Sequence, residues 1–208
     1  MRIERLQEPG RKGGRWTVFF EGGQRLRLLP SVIGDFGLRP GLELPAEELP
    51  RLKEAAAAAS AKERAVRIIS ASNVTQKELR RRLVQKGESE ENAEAAVSWL
   101  SSLDLLDDLE TAKQLVRSAG RKGYGRARAR QILYQKGVDK SLWDEALEEL
   151  PEPDGAIDRF LASRFRGEAP DRPEVKRAAD ALMRRGHRWE DIRTALRRYT
   201  DTLEEEEC

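Results

Sequence analysis

The chain has 208 residues, with 39 Lys and Arg against 37 Asp and Glu, and is 37% charged and 38% apolar. That composition, with apolar residues recurring at helical spacing, excludes a disordered tail, and no run of 18 apolar residues exists to cross a membrane. Its single cysteine, Cys208, allows no internal disulfide, and with His187 as the only histidine no zinc cluster is recognisable. A reducing, cytoplasmic setting is the expectation, and "MRIERLQEPG" lacks the apolar stretch of a signal peptide.

Residues 1–45 read as a small β-containing element. The runs 16–20 and 24–28 flank Glu21-Gly22-Gly23, whose glycines supply the positive φ that a hairpin needs. A helical turn is predicted over 31–36, and Pro40-Gly41 precedes a last short strand around 42–44. Strand signals then stop. A connecting helix over 46–60 runs through the alanine tract, because Ala is the best helix former and Pro50 is tolerated in a first turn.

From there the sequence repeats. "KELRRRLVQKG" at 77–87 aligns with "ARARQILYQKG" at 127–137 and "KRAADALMRRG" at 176–186, offsets of 50 and 49. Leu83, Leu133 and Leu182 fall in register, as do Gly87, Gly137 and Gly186, then Ala96, Ala146 and Ala195. Each unit reads as three helices, giving repeats over 61–107, 108–150 and 151–203, followed by an acidic tail over 204–208. In the first repeat the helices are expected near 61–71, 76–86 and 90–102. Thr75-x-x-Glu78 predicts a capping box, Ser89 and Asp139 predict N-caps, and the repeated glycine predicts a left-handed C-cap. The expected fold is mainly α, three tandem three-helix repeats in an elongated curved array with a continuous apolar spine, plus the N-terminal hairpin.

Charge is distributed unevenly on this scaffold. Residues 111–150 hold 9 basic and 5 acidic groups, and 111–138 hold no acid at all. Lys113, Arg117 and Arg121 follow i, i+4, i+8 and line one helical ridge; Arg126, Arg130 and Tyr134 line a second, with Arg128 across from it. Lys122 and Tyr124 occupy the turn between. With no acid nearby in sequence, these cations are expected to lack partners, and arginines on a ridge beside a tyrosine suit phosphates and stacked bases, or a strongly acidic protein surface. Arg80, Arg81 and Arg82 form a secondary basic patch.

Other features take plainer readings. Gly123-Tyr124-Gly125 follows a helix and lacks the Lys-Ser/Thr of a phosphate loop, so it reads as a flexible turn presenting Tyr124. His187 reads as a loop residue; Trp99, Trp143 and Trp189 read as packing residues of the third helices. No Ser/His/Asp or Cys/His arrangement, metal cluster or nucleotide fingerprint is recognisable, so neither catalysis nor a cofactor is expected.

The ordered succession "ELRRRLVQKG", "LDLLDD", "RKGYG" and "QKGV" resembles the bacterial regulatory protein RecX family over about residues 60–150, and more loosely over 151–200. The resemblance implies a cytoplasmic, non-enzymatic repeat protein that binds the RecA recombinase filament on single-stranded DNA. It also implies inhibition of recombinase, ATPase and co-protease activity, by blocking filament extension or promoting disassembly. The basic ridge would then face DNA or an acidic surface of RecA. Where many members place proline or serine after the glycine turn, this chain has Gly125-Arg126. A monomer is the simplest expectation. The alternative is a helix-turn-helix-like binder of duplex DNA acting without RecA, with Gln131 as a base-reading side chain; a pure scaffold ranks third.

Overall fold

The computed structural model describes residues 1–10, 13–166 and 170–205, and the side chains of residues up to 200. The acidic tail expected at 204–208 falls outside the described side chains. The chain divides into two compact units, 1–105 and 106 onward.

The first unit opens with a three-stranded antiparallel sheet, β1 (Ile3–Gln7), β2 (Trp16–Phe20) and β3 (Arg25–Leu28), in that order. The β2–β3 hairpin matches the sequence reading, its turn made by Gly22 and Gly23 at φ +89° and +83°. The third strand does not. It is β1, whose Ile3 is fully buried, whereas 42–44 contributes only an isolated bridge between Arg2 and Glu43. Alternation in β1 is masked by charge, and a bulge between Ile3 and Arg5 breaks its register. The inner face, Ile3, Val18, Phe20 and Leu28, packs with Val32 of α1 (Pro30–Asp35), Leu38, Leu44 and Leu52.

Leu52 belongs to α2 (Glu48–Ala71), one uninterrupted helix of 24 residues. It begins as the wall of the β element and continues as the first helix of the first repeat. Its small Ala61 and Ala65 are fully buried, where the helix packs against α3 (Gln76–Gln85) and α4 (Glu90–Ser102). Leu79, Leu83, Ala96, Val97 and Leu100 are buried in the same repeat.

The second unit contains the other two repeats. The central one is α5 (Asp108–Arg121), α6 (Arg126–Gln135), a 3₁₀ turn (Lys140–Leu142) and the short α7 (Trp143–Leu147). The third is α8 (Pro153–Phe165), α9 (Arg172–Arg184) and α10 (Trp189–Glu205). Leu133 and Leu182, in register with Leu83, are likewise fully buried.

Each middle helix ends the same way. Gly87, Gly137 and Gly186 take φ of +90°, +71° and +87°. Their N–H groups donate to the carbonyls of Val84, Tyr134 and Met183, and the next residue's N–H donates to Leu83, Leu133 and Leu182. This is the paired hydrogen-bond pattern of a Schellman cap. Lys86, Lys136 and Arg185 sit at the C-cap positions before these glycines. α5 ends alike through Gly123 at φ +69°, with the Tyr124 N–H donating to Ala119.

N-terminal caps also follow the sequence, with one correction. Ser89 accepts from the Asn92 N–H and Asp139 from the Ser141 N–H. Thr75 accepts from the Glu78 N–H, but the Glu78 carboxylate, 5% exposed, is taken up by Arg81 and Arg82. A complete capping box forms instead at Asp171 and Glu174.

The continuous apolar spine is not formed across the second unit. The central repeat owns one cluster around Val116, Leu133 and Leu147, and the third owns another around Ile157, Leu161 and Leu182. What joins them is polar backbone. The Gly125 N–H donates to the Arg185 carbonyl at 2.9 Å and the Ala127 N–H to the Gly186 carbonyl at 3.1 Å. A Cβ on Gly186 would stand 2.3 Å from the Arg128 nitrogen, and one on Gly125 2.3 Å from the Gly186 oxygen. Only glycines allow this approach.

Gly87 has the same left-handed φ with open space around its Cβ position. Gly87→Ala should therefore cost about 1–2 kcal/mol of backbone strain, and Gly186→Ala clearly more, because the joint must also part. Urea unfolding of the two variants measures the difference.

Candidate functional site

The predicted basic segment occupies α5, the following turn and α6. Val116, Ala119, Ala129 and Leu133 face inward. The ridges, however, are not free of partners. Acidic residues outside 111–138 fold back onto them. Lys113 reaches Glu145 at 2.7 Å; Arg117 reaches Glu110 at 2.6 Å and Glu149 at 3.3 Å. Arg126 and Arg130 share Asp144 at 3.6 and 3.5 Å. The expectation of unpartnered cations fails at these four positions because acids on either side of the bare stretch, Glu110 just before it and Asp144, Glu145 and Glu149 beyond it, lie against the ridges.

The titration behaviour agrees. The hydrogen bond from Arg117, then that from Gln114, holds the Glu110 carboxyl below its usual range. Lys113 is raised by its hydrogen bond to Glu145, and Arg117 by those to Glu110 and then Glu149. All are solvent-exposed pairs, so salt screens them.

Three predicted residues keep their charge unopposed. Among the described residues, Arg121, Lys122 and Arg128 have no carboxylate within ion-pair distance. Arg121 and Lys122 are exposed at the end of α5, while Arg128 bonds Gln131 and lies 5.7 Å over the Tyr124 ring. Tyr124 is half-buried against the central core rather than presented to solvent. Tyr134, on α6, is 70% exposed.

The secondary patch is likewise neutralised. Arg80 pairs with Glu90 and Glu94, while Arg81 and Arg82 pair with Glu78.

One plain reading needs correction and one gains a detail. Trp99 and Trp143 do pack, Trp143 donating from Nε1 to the Val138 carbonyl, but Trp189 is 52% exposed. His187 lies in the loop between α9 and α10, as read, but it is buried there. It is 6% exposed, and its Nε2 lies 3.1 Å from the Gly123 carbonyl. A carbonyl only accepts, so Nε2 carries the proton and Nδ1 is the buried acceptor left without a hydrogen-bond partner among the described residues. The signal was available: His187 follows Gly186 as Val138 follows Gly137, and that position packs against the helix it caps. No group of three or more potential metal ligands occurs among the described residues, and none of their helices is long and apolar enough to cross a membrane.

The fold and site thus define a tandem three-helix repeat protein with a cationic turn in its central repeat. The family description "RecX, first three-helix domain" matches residues 61–100, and "RecX, second three-helix domain" matches 107–147. The chain is 37% identical over 139 residues to "Regulatory protein RecX" of Vibrio campbellii, covering 66% of this chain and 90% of that one. It is 32% identical over 154 residues to the Escherichia coli O1:K1 protein of the same name, covering 67% and 91%. Among solved structures, "Crystal structure of regulatory protein RecX" superposes with a TM-score of 0.69 at 24% identity, over 93% of this chain and 98% of that one. RecX from Lactobacillus salivarius gives 0.58 at 21% identity, over 70% and 97%. The chain belongs to the RecX family.

Burial lowers the His187 pKa from 6.5; the Gly123 hydrogen bond and Asp191 act in the opposite direction, and Arg185 adds to the lowering. A folded-state pKa below the unfolded value means stability is fully present above pH 6.5 and is lost as pH falls through the folded value. His187→Gln keeps a donor for Gly123 and should flatten the loss of unfolding midpoint between about pH 7 and pH 5. The loss through Glu110 lies lower, below 4.5, and should persist in that variant.

Proposed function

We propose that this protein binds the RecA filament on single-stranded DNA and inhibits recombinase, ATPase and co-protease activity by blocking extension or promoting disassembly. The observation that carries the reading is the match to proteins named "Regulatory protein RecX" along 90% or more of their length. It is supported by the cationic turn Arg121-Lys122, whose charge no described carboxylate balances. The protein acts as a cytoplasmic monomer without cofactor, and the turn meets filament DNA or an acidic surface of RecA. Duplex DNA is a secondary ligand through the same cations.

The ion-paired ridge alters how the reading is tested. Reversing Arg117, Arg126 or Arg130 would also break pairs with Glu110, Glu149 and Asp144, so the turn is the cleaner place for substitution. Titrated into RecA hydrolysing ATP on single-stranded DNA, the wild-type chain should inhibit. Arg121→Glu with Lys122→Glu should need about tenfold more protein, as expected for two lost anion contacts. If wild type leaves hydrolysis and filament lifetime unchanged and binds duplex DNA tightly with base preference, the duplex-binding reading replaces this one.

A further inference from the structure

We propose that the joint between the central and third repeats is a composite phosphate-binding site for single-stranded nucleic acid, built from Lys122, Arg128, Arg185 and Arg188 with Trp189 as a stacking face. The proposal deepens the reading above, since DNA in a filament is its natural ligand, but it concerns residues of the third repeat that the basic segment does not contain.

The two turns lie against each other. Besides the two backbone hydrogen bonds from Gly125 and Ala127, His187 donates to Gly123 across the joint. An Arg185 Nη1 stands 3.4 Å from the position a Cβ on Gly123 would take, so its guanidinium lies beside the residue that follows Lys122. Arg128 sits on the other side, its Cβ 2.8 Å from the Cβ position of Gly186. Arg188 lines, with Tyr124, Arg126 and His187, a cavity of about 270 Å³.

Among the described residues none of these four cations has a carboxylate within ion-pair distance, in contrast to Lys113, Arg117, Arg126 and Arg130. Two of the guanidiniums are instead placed by rings, Arg128 over Tyr124 and Arg185 over Phe160 at 4.7 Å. Glu190 and Asp191 occupy the first turn of α10, where they complement the helix N-terminus, and Asp191 and Glu152 both line the cavity beside Arg188.

Planar guanidiniums match phosphate oxygens in a fork, and a joint fixed by three hydrogen bonds holds cations of two repeats in place before the ligand arrives. Trp189, half exposed directly after Arg188, offers a ring face to an unstacked base. An unstacked nucleotide engages guanidiniums through its phosphate and the exposed ring through its base, which is why nucleic acid is the favoured occupant.

The test uses the full-length protein and a labelled oligothymidylate without RecA, read by fluorescence anisotropy across a salt series. Arg128→Ala with Arg185→Ala should weaken binding at least about tenfold and reduce the slope of log affinity against log salt by about 1.4, or roughly 0.7 per lost phosphate contact. Trp189→Ala should weaken binding at least about fivefold and Trp189→Phe should restore it. Lys122→Glu with Arg188→Glu alters only exposed side chains and gives a second reading if the first pair disturbs folding. Arg51→Ala, on the exposed side of α2, should bind as wild type. Wild-type affinity and salt slope in both charge variants would overturn the site. So would loss of RecA inhibition with free-oligonucleotide binding intact, which would make the joint a protein-contact surface. Inhibition of RecA by wild type together with insensitive oligonucleotide binding would sink this site and leave the family function standing.

Discussion

A glycine in the left-handed region ends the middle helix of every repeat, and the remaining geometry of each repeat follows from it. The cap closes two hydrogen bonds back onto the last turn, one of them to the carbonyl of the leucine that anchors the core. That fixes where the third helix starts, and hence which of its residues meet the first. Ala96, Ala146 and Ala195 are buried at matching places because the turn before them is the same turn. At Gly186 a second demand is added: the neighbouring repeat's backbone comes so close that any side chain would strike it.

The joint made there is unusual in what holds it. Helical repeats commonly share an apolar seam, whereas here the two clusters of the second unit stay separate and the turns grip through amide hydrogen bonds and one imidazole. Directional bonds resist sliding and rotation better than apolar contact does, and the His187 ring that makes one of them is buried, where desolvation favours its neutral form.

Much of the fold was legible in the sequence because its signals are local. Periodic leucines, caps such as Ser89 and Asp139, and the three glycines each act within a few residues of themselves, and the alanine tract of α2 could hardly be anything but helix. β1 was missed since a bulged strand carrying Glu4 and Arg5 shows little alternation. The site was legible in part. Counting acids along the chain correctly marked 111–138 as bare, yet the ion pairs form with Glu110, one residue before that window, and with Asp144, Glu145 and Glu149 after it, and a count within the window says nothing of them. Arg188 escaped notice, and Arg185 read only as a cation at a helix C-terminus in register with Lys86 and Lys136, for the same reason: their company is spatial.

The single helix α2 ties the β element to the first repeat more firmly than a linker would. Its first turns carry Leu52 into the sheet's core and its later turns carry Ala61, Ala65 and Ile68 into the repeat. There is no residue between the two at which the backbone is released from helical geometry. The N-terminal element therefore has no hinge of its own within α2, and a displacement of the sheet is carried along that helix to its contacts with α3 and α4.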